Sequence, residues 1–139
     1  MEVTWGERWS RSPASDFIIQ THGHEFWKRF LDELKCIISA LHEIDFTGSI
    51  STFGEGIARI TLGDDRLEGV STRTDLILDG ERIRCSVLNN GIFYLNFIAF
   101  SDNKLFVQDI QKDVDPMDAW TTAEQVVDRM LNIIEWTRG

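Results

Sequence analysis

Residues 76–100 of this chain read LILDGERIRCSVLNNGIFYLNFIAF, and this stretch decides the fold. Short runs rich in Ile, Leu, Val and Phe alternate here with two turn signals, Asp-Gly at residues 79–80 and Asn-Asn-Gly at residues 89–91. The Asp-Gly pair predicts a two-residue type I′ turn between two strands. Because links this short cannot supply the crossover that a parallel pair needs, the flanking strands are expected to run antiparallel.

The strand between these turns alternates apolar and polar side chains, which is typical of a sheet with one buried face. Its residues divide into Ile83, Cys85 and Val87 on one face and Arg82, Arg84 and Ser86 on the other. The run that follows, residues 92–100, is almost wholly apolar and is interrupted only by Asn96. We therefore expect it to be a central strand that is buried on both faces.

Further strands are predicted on both sides of this stretch. Upstream, residues 50–53 and 57–62 flank a Gly-rich loop and are expected to form a hairpin. Residues 67–78 then make an extended stretch of one bent strand or two. Downstream, residues 105–110 form the last strand after a polar link. The sequence therefore predicts about five to six short antiparallel strands.

An amphipathic helix is predicted at each end of this strand run. From about His24 apolar residues recur at helical spacing, and a Thr-Thr-Ala-Glu capping box at residues 121–124 starts the second helix. The two apolar stripes consist of Phe26, Trp27, Phe30, Leu31, Leu34, Ile37, Ile38 and Leu41, and of Val126, Val127, Met130, Leu131, Ile133 and Ile134. We expect one α+β domain over residues 1–139, with both helices packed on one face of an antiparallel sheet.

The first 16 residues show neither a helical nor a strand period, and they are expected to form an N-terminal arm. The arm contains Trp5 and Trp9. These indoles either pack back on the domain or reach a second subunit, and packing back is the commoner way of tying down a terminus.

Composition narrows the class of function. The chain has 139 residues, a formal charge of -9 at pH 7 and a pI near 4.7. This charge disfavours nucleic acid, because binding to nucleic acid depends on Lys and Arg that neutralise phosphates. No basic leader precedes an apolar segment, and no apolar run approaches the roughly 18 residues of a membrane helix. We therefore expect a cytoplasmic protein that does not contact membranes.

Side chains that could carry chemistry are few. Cys36 and Cys85 lie in apolar patterns, and we expect both to be structural residues that are buried in the core. His22 and His24, followed by Glu25, could contribute to a metal site, but we favour a polar lead-in to a helix as their role. The chain has no P-loop, nucleophile elbow or dinucleotide-binding glycine pattern. We expect no cofactor, metal or catalytic residue, and we favour a protein that is not an enzyme.

A ligand pocket is one candidate site. It would lie between the sheet and the helices, where apolar clefts occur in folds of this kind. Its predicted lining consists of Trp27, Phe30, Phe93, Tyr94 and Phe97. The alternative role of these aromatics is to fill the core.

A surface for a protein partner is the second candidate. It comprises three aspartates and four arginines, namely Asp113, Asp115, Asp118, Arg59, Arg73, Arg82 and Arg84. The aspartates precede a helix, where Asp is also expected as a cap. The arginines form a basic strip that suits a carboxylate, a phosphate or an acidic protein, or else they pair across strands with Asp75 and Glu81.

Three kinds of function are compatible with the sequence. The first is a small acidic, non-enzymatic protein-binding module of the chaperone-like or toxin-neutralising type, favoured by the charge and the lack of catalytic motifs. The second is a small-molecule-binding protein or cofactor-free enzyme that uses the apolar pocket, and the third is an oligomerising structural module. Because two helices cannot cover both faces of the sheet, we also expect a homodimer that covers the second face.

Overall fold

The computed structural model of the protein describes residues 13–66, 69–99, 104–109 and 115–138. In chain order the elements are α1 (Pro13–Leu41), a 3₁₀ turn (His42–Ile44), β1 (Phe46–Thr52), β2 (Ile57–Asp64), β3 (Ser71–Asp79), β4 (Arg82–Val87), β5 (Gly91–Ala99), β6 (Leu105–Asp109) and α2 (Ala119–Arg138). The predicted α+β class is confirmed, with six antiparallel strands and a helix at each end of the strand run. Neither of these helices has the length and apolarity that crossing a bilayer requires.

The six strands form one sheet in the order of the chain, so each strand pairs only with its neighbours in sequence. The register aligns side chains in rows across the sheet, and one row runs from Ala58 through Leu76 and Cys85 to Phe93. All four of these side chains are buried. Strands β2 to β5 therefore each contribute alternate residues to one continuous apolar face, as the period of two along a strand requires.

Both helices pack on this apolar face. α1 contributes Phe30 and Leu34 to the core, α2 contributes Met130 and Ile134, and all four are almost fully removed from solvent. Burial of a side chain of this size stabilises a fold by about 1.5–3 kcal/mol relative to exposure. α1 also contacts α2 directly, so segments from the two ends of the chain close the core together.

α1 is longer than the sequence pattern indicated. It begins at Pro13 instead of near His24, and the buried residues Ile18 and Ile19 extend its apolar stripe towards the N-terminus. Proline fits the first turn of a helix because its missing N–H has no intrahelical acceptor there in any case. The last four residues of the predicted N-terminal arm are thus helical, and residues 1–12 lie outside the part of the chain that the structure describes.

The turn between β3 and β4 is shifted by one residue from the predicted turn. Asp79 pairs with Arg82, so the two loop residues are Gly80 and Glu81, and Asp79 belongs to the strand. Gly80 has a φ of 55°, whereas Glu81 has no positive φ. A type I′ turn requires positive φ at both loop positions, so the prediction of that type was wrong, and glycine in the first position is typical of type II′.

Strand β5 is not buried on both faces, and that prediction was also wrong. It is the fifth of the six strands, and its buried residues all face the helices. On its other side Ile92 is 43% exposed, and Tyr94, Asn96 and Ile98 are half-buried. The apolar residues on that side lie on a face of the sheet that no described element covers.

Gly48 allows α1 to approach the edge strand β1 closely. A Cβ atom at this position would lie 2.9 Å from Cγ2 of Ile38, 3.1 Å from Cδ1 of Leu62 and 3.2 Å from the carbonyl oxygen of Thr61. These distances are shorter than ordinary van der Waals contacts between carbon atoms, which are about 3.5–4.0 Å. Glycine is therefore required at this position by packing.

We predict that Gly48→Ala lowers the free energy of unfolding by about 1–3 kcal/mol, because the added methyl group forces α1 or β2 to shift. Urea denaturation followed by tryptophan fluorescence measures the loss. Ser51→Ala, at an exposed position of the same strand, is the matched control and is expected to change stability by less than about 0.5 kcal/mol. Equal stabilities of Gly48→Ala and the unsubstituted protein would contradict the packing argument.

Candidate functional site

The side of the sheet opposite the helices, which we call the open face, carries all four arginines that the sequence singled out. Arg59 lies on β2, Arg73 on β3, and Arg82 and Arg84 on β4, each at a position that alternates with buried residues. The other open-face residues of β2 to β6 include Thr61, Asp75, Ile77, Asp79, Ser86, Ile92, Tyr94, Asn96, Ile98, Phe106 and Gln108. The predicted basic strip therefore exists as one surface.

Two of the arginines on the open face share one acid. Nε of Arg59 donates a hydrogen bond of 2.7 Å to Oδ1 of Asp75, which lies directly opposite it on β3. Nε of Arg73 lies 4.0 Å from the other oxygen of the same carboxylate. Cross-strand pairing with Asp75, one of the two acids that the sequence suggested, is confirmed. Such half-exposed pairs contribute about 0–1 kcal/mol each, so their role is mainly to fix side-chain positions.

Arg82 has a different set of neighbours. Its Nε lies 3.7 Å from Oδ2 of Asp79, at the β3–β4 turn, and no ion pair joins it to the predicted acid, Glu81. Its guanidinium also lies over the ring of Tyr94, 4.2 Å from the ring centroid. A cation over an aromatic face gains about 0.5–1 kcal/mol at an exposed site. Arg82 and Tyr94 thus hold each other in place on the open face.

Arg84 is the exception among the four. Within the described residues it has no carboxylate within 4.0 Å, and its buried Nε has no hydrogen-bond partner. Ile77 on β3 and Tyr94 on β5 lie directly opposite it in the two ladders. The residue as a whole is half-buried, and its buried donor without a partner is destabilising in the isolated chain.

A second unsatisfied group lies on the strand beside Arg84. Oδ1 of Asn96, on β5, is buried and accepts no hydrogen bond from the described residues. Asn96 stands between Arg82 of β4 and Gln108 of β6 in the register. The open face thus presents a buried, unused donor and a buried, unused acceptor on adjacent strands.

Apolar side chains surround this polar centre. Ile57 and Ile92 are 42% and 43% exposed, and Ile77 and Ile98 are half-buried. An exposed apolar surface interleaved with Arg and Tyr is typical of protein interfaces, where these residue types are enriched. The sequence did not identify Ile92 and Ile98 as surface residues, although their alternation with Phe93, Leu95 and Phe97 contained the signal.

The five predicted pocket residues do not come together around a cavity. Trp27, Phe30, Phe93 and Phe97 are buried in the core, whereas Tyr94 lies on the open face. The aromatic rings are in contact with other groups of the core. The ring centroids of Phe26 and Phe97 are 5.4 Å apart in an edge-to-face arrangement, and the Arg129 guanidinium lies 3.7 Å from the centroid of Phe93.

The described residues line several clefts at the surface, and one of these clefts includes a predicted pocket residue. A cleft of about 510 Å³ between the β3–β4 turn, β5 and α1 is lined in part by Phe97, Arg82 and Asn96. A cleft of about 420 Å³ near the start of α2 is lined by residues that include Arg29 and Trp120. A third, also of about 420 Å³, lies beside the β1–β2 loop.

The predicted acidic surface is only partly described. Asp113 lies outside the described residues, and Asp115 is exposed. Asp118 is the N-cap of α2, because its Oδ1 accepts a hydrogen bond of 2.8 Å from the backbone N–H of Thr121. That hydrogen bond is the main cause that lowers the pKa of Asp118, and Arg29 contributes to the shift. The helix begins at Ala119, two residues before the predicted capping box, so that prediction of the helix start was wrong.

His22 and His24 each lie close to a glutamate. Nδ1 of His22 lies 3.1 Å from Oε2 of Glu25, and Nδ1 of His24 lies 3.6 Å from Oε1 of Glu55 in the β1–β2 loop. In the portions of the chain that the structure describes, no three His, Cys, Asp or Glu side chains converge as metal ligands do. The predicted cluster is therefore divided between two separate pairs.

The two cysteines differ in environment. Cys85 is fully buried, and burial raises the pKa of its thiol far above the ordinary range. Arg129 opposes this rise, but it is itself paired with the buried carboxylate of Asp109. A thiol that stays protonated is not a nucleophile, so Cys85 is structural, as expected. Cys36 is exposed on α1, which corrects the expectation that it lies in the core.

Comparisons with known proteins identify no relative. No protein-family model matches the chain, and neither the curated proteins nor the solved structures include a significant match.

We predict that Asp118→Ala lowers the free energy of unfolding by about 1 kcal/mol at pH 7, because the helix loses its cap. The pKa of this carboxyl is lowered in the folded state, so its contribution is complete above the unfolded-state pKa and is lost as pH falls through the folded-state value. The gap between Asp118→Ala and the unsubstituted protein should therefore shrink between pH 7 and pH 3.5 in urea titrations. Asp118→Asn, which keeps a cap acceptor without the charge, should show a smaller loss.

Proposed function

We propose that this protein is a non-enzymatic binding module that docks an acidic surface of another protein onto the open face of its sheet. The observation that carries the proposal is Arg84, a charged side chain without a carboxylate partner among the described residues, set between Ile77 and Tyr94. A carboxylate brought by a partner would give its guanidinium the bidentate contact that this group favours.

The charge distribution supports an acidic partner. The strands of the open face carry four arginines against Asp75 and Asp79, in a chain whose formal charge is -9. A positive face on a negative protein both attracts an acidic surface and orients it, since the rest of the molecule repels it.

The shape of the surface supports a protein partner more than a small molecule. The open face is a sheet surface with half-buried Ile, Tyr and Arg side chains, which are suited to broad contact. Four of the five aromatics predicted to line an apolar pocket are buried in the core. A small ligand would need a concave apolar site, and protein interfaces do not.

A second copy of the chain fits this face less well. In a twofold dimer the same patch is used twice, so the four arginines of each copy would enter one interface with only Asp75 and Asp79 of each copy to balance them. Like charges that meet across an interface cost several kcal/mol. The homodimer expected from the sequence is therefore not assigned to the open face.

We predict that Arg84→Glu lowers capture of the partner at least tenfold, because the central contact then becomes repulsive. The immobilised chain is incubated with extract of its native cells, and proteins bound by each variant are quantified by mass spectrometry. Lys28→Glu makes the same change in charge at an exposed position of α1 and should retain the partner. Arg84→Lys should give intermediate capture, because it keeps the charge and loses the planar fork.

Two results would oppose the proposal. One is equal capture by the unsubstituted protein, Arg84→Glu and Lys28→Glu. The other is a captured protein whose binding depends on Arg84 but does not weaken when salt is raised from 50 to 500 mM. Such a protein would not bind through an acidic surface. Salt should weaken the proposed contact because it screens exposed charges.

We also predict that Arg84→Ala does not destabilise the isolated protein, although it removes the central contact. The substitution eliminates a buried donor without a partner, so the free energy of unfolding should stay within about 0.5 kcal/mol or rise. Urea denaturation tests this directly. Arg59→Ala, which breaks the 2.7 Å contact with Asp75, is the comparison and should be the less stable of the two variants. A clear loss in Arg84→Ala would indicate a structural role.

A further inference from the structure

Within the part of the chain that the structure describes, strand β1 forms a free edge of the sheet. It is the first strand in the sheet order and pairs only with β2, on one side. At the opposite edge, Val107 of β6 exchanges two backbone hydrogen bonds with Met117, of 2.9 and 2.7 Å. Among the described residues, one edge is thus covered and the other is bare.

The hydrogen-bond pattern identifies which groups of β1 are unused. At the two ends of the β1–β2 pair, the N–H of Phe53 donates to Ile57 and the N–H of Asp65 donates to Asp45, over 3.0 and 2.8 Å. Antiparallel strands alternate between residues that bond one neighbour and residues that bond the other. The odd-numbered residues of β1 therefore bond β2, and the backbone groups of Phe46, Gly48, Ile50 and Thr52 point to the free edge.

Among the described residues, this edge lacks the features that usually prevent strand addition. Natural edge strands are protected by charged side chains, proline, bulges or a covering segment. β1 has the sequence FTGSIST, with seven residues and neither charge nor proline, in a chain in which 27% of residues are charged. Its seven residues pair with β2 in unbroken register, so no bulge twists the edge away.

We infer that two copies of the chain associate through antiparallel pairing of their β1 strands. The register that uses the whole strand places Ser49 opposite Ser49 of the second copy, on the twofold axis. It would form about eight backbone hydrogen bonds, two for each of four residue pairs. The six-stranded sheet is then continued across the axis as one sheet of twice the width.

The side chains of β1 suit a copy of the same strand. On the open-face side this register sets Thr47 opposite Ser51 and Ser49 opposite itself, and cross-strand Thr and Ser pairs are favourable by about 0.2–1 kcal/mol. On the helix side it sets the small Gly48 opposite the larger Ile50. No charge meets a like charge along the strand, which distinguishes this contact from one made through the arginines of the open face.

This dimer leaves the open face free. The twofold axis of an antiparallel strand pair stands perpendicular to the sheet, so the helices of both copies lie on one side and both open faces lie on the other. Dimer formation and partner binding therefore use different surfaces. Each can be tested in the absence of the other.

Disulfide trapping tests the register. In a Cys36→Ser background, which removes the exposed native thiol, Ser49→Cys should give a covalent dimer on a non-reducing gel. The Cα atoms of such a non-hydrogen-bonded pair lie about 4.5 Å apart, within the range that a disulfide spans. Thr61→Cys is the matched control, because Thr61 is exposed and lies beside Ser49 on β2. Its two copies would be about 14 Å apart, three strand spacings, and should stay monomeric on the gel.

Sedimentation equilibrium tests the association without cross-linking. The unsubstituted protein should be dimeric at tens of micromolar, and Ser49→Lys should weaken the dimer at least tenfold, because it sets two like charges directly opposite each other. Thr61→Lys adds the same charge one strand inward and should leave the dimer intact. Far-UV circular dichroism of both lysine variants is the control that checks whether the fold is retained.

Three results would overturn this inference. The first is a monomer at 200 μM for the unsubstituted protein. The second is equal weakening of the dimer by Ser49→Lys and Thr61→Lys, and the third is a dimer that Arg84→Glu dissociates while Ser49→Lys does not. None of these measurements needs the acidic partner. A failure of the dimer inference would therefore leave the proposed function untouched, and a failure of the proposed function would leave the dimer inference untouched.

Discussion

Burial of one side of the sheet against α1 and α2 is the interaction on which the rest of the structure depends. Two helices are wide enough to cover one face of six strands, and they bring Phe30 and Met130 onto the apolar rows of β2 to β5. Because side chains alternate along a strand, this packing also determines every residue that faces the other way. The open face is the direct result, and its arginines, tyrosine and isoleucines are positioned by a core that they do not enter.

Much of this arrangement could be predicted from the sequence, and the failures have physical causes. The strict alternation in β4 gave both faces correctly. The prediction for β5 failed because Ile92 and Ile98 are apolar on the open face, and a run in which Asn96 is the one strongly polar residue cannot be distinguished from a strand buried on both sides. At the β3–β4 turn Asp79 is already paired, so the Asp-Gly signal was placed one residue early. For α2, Asp118 caps the helix ahead of the Thr and Glu that fit a capping box.

Some features of the candidate site could likewise be predicted from the sequence, and others could not. The shared surface of the four arginines could be predicted from their spacing in the strands, because outward positions on neighbouring strands come together in any antiparallel meander. Which arginine lacks an acid could not be predicted, because it depends on the register that places Asp75 beside Arg59 and Ile77 beside Arg84. The environment of Cys36 was likewise decided by its position around the helix, since it lies two residues, about half a turn, from the buried Leu34 and Ile38.

The order of the strands also bears on how the chain folds. Every strand pairs with its neighbour in sequence, so the sheet is built from contacts between residues that are close along the chain, a topology that favours rapid folding. The contact between α1 and α2 joins segments from opposite ends of the chain, and α1 also contacts the distant strands β5 and β6. Loop-closure entropy makes such a contact costly until the segment between the helices has become compact. The hairpins are therefore expected to form first and to serve as the platform on which the helices dock, and a nascent chain cannot complete its core until α2 has left the ribosome.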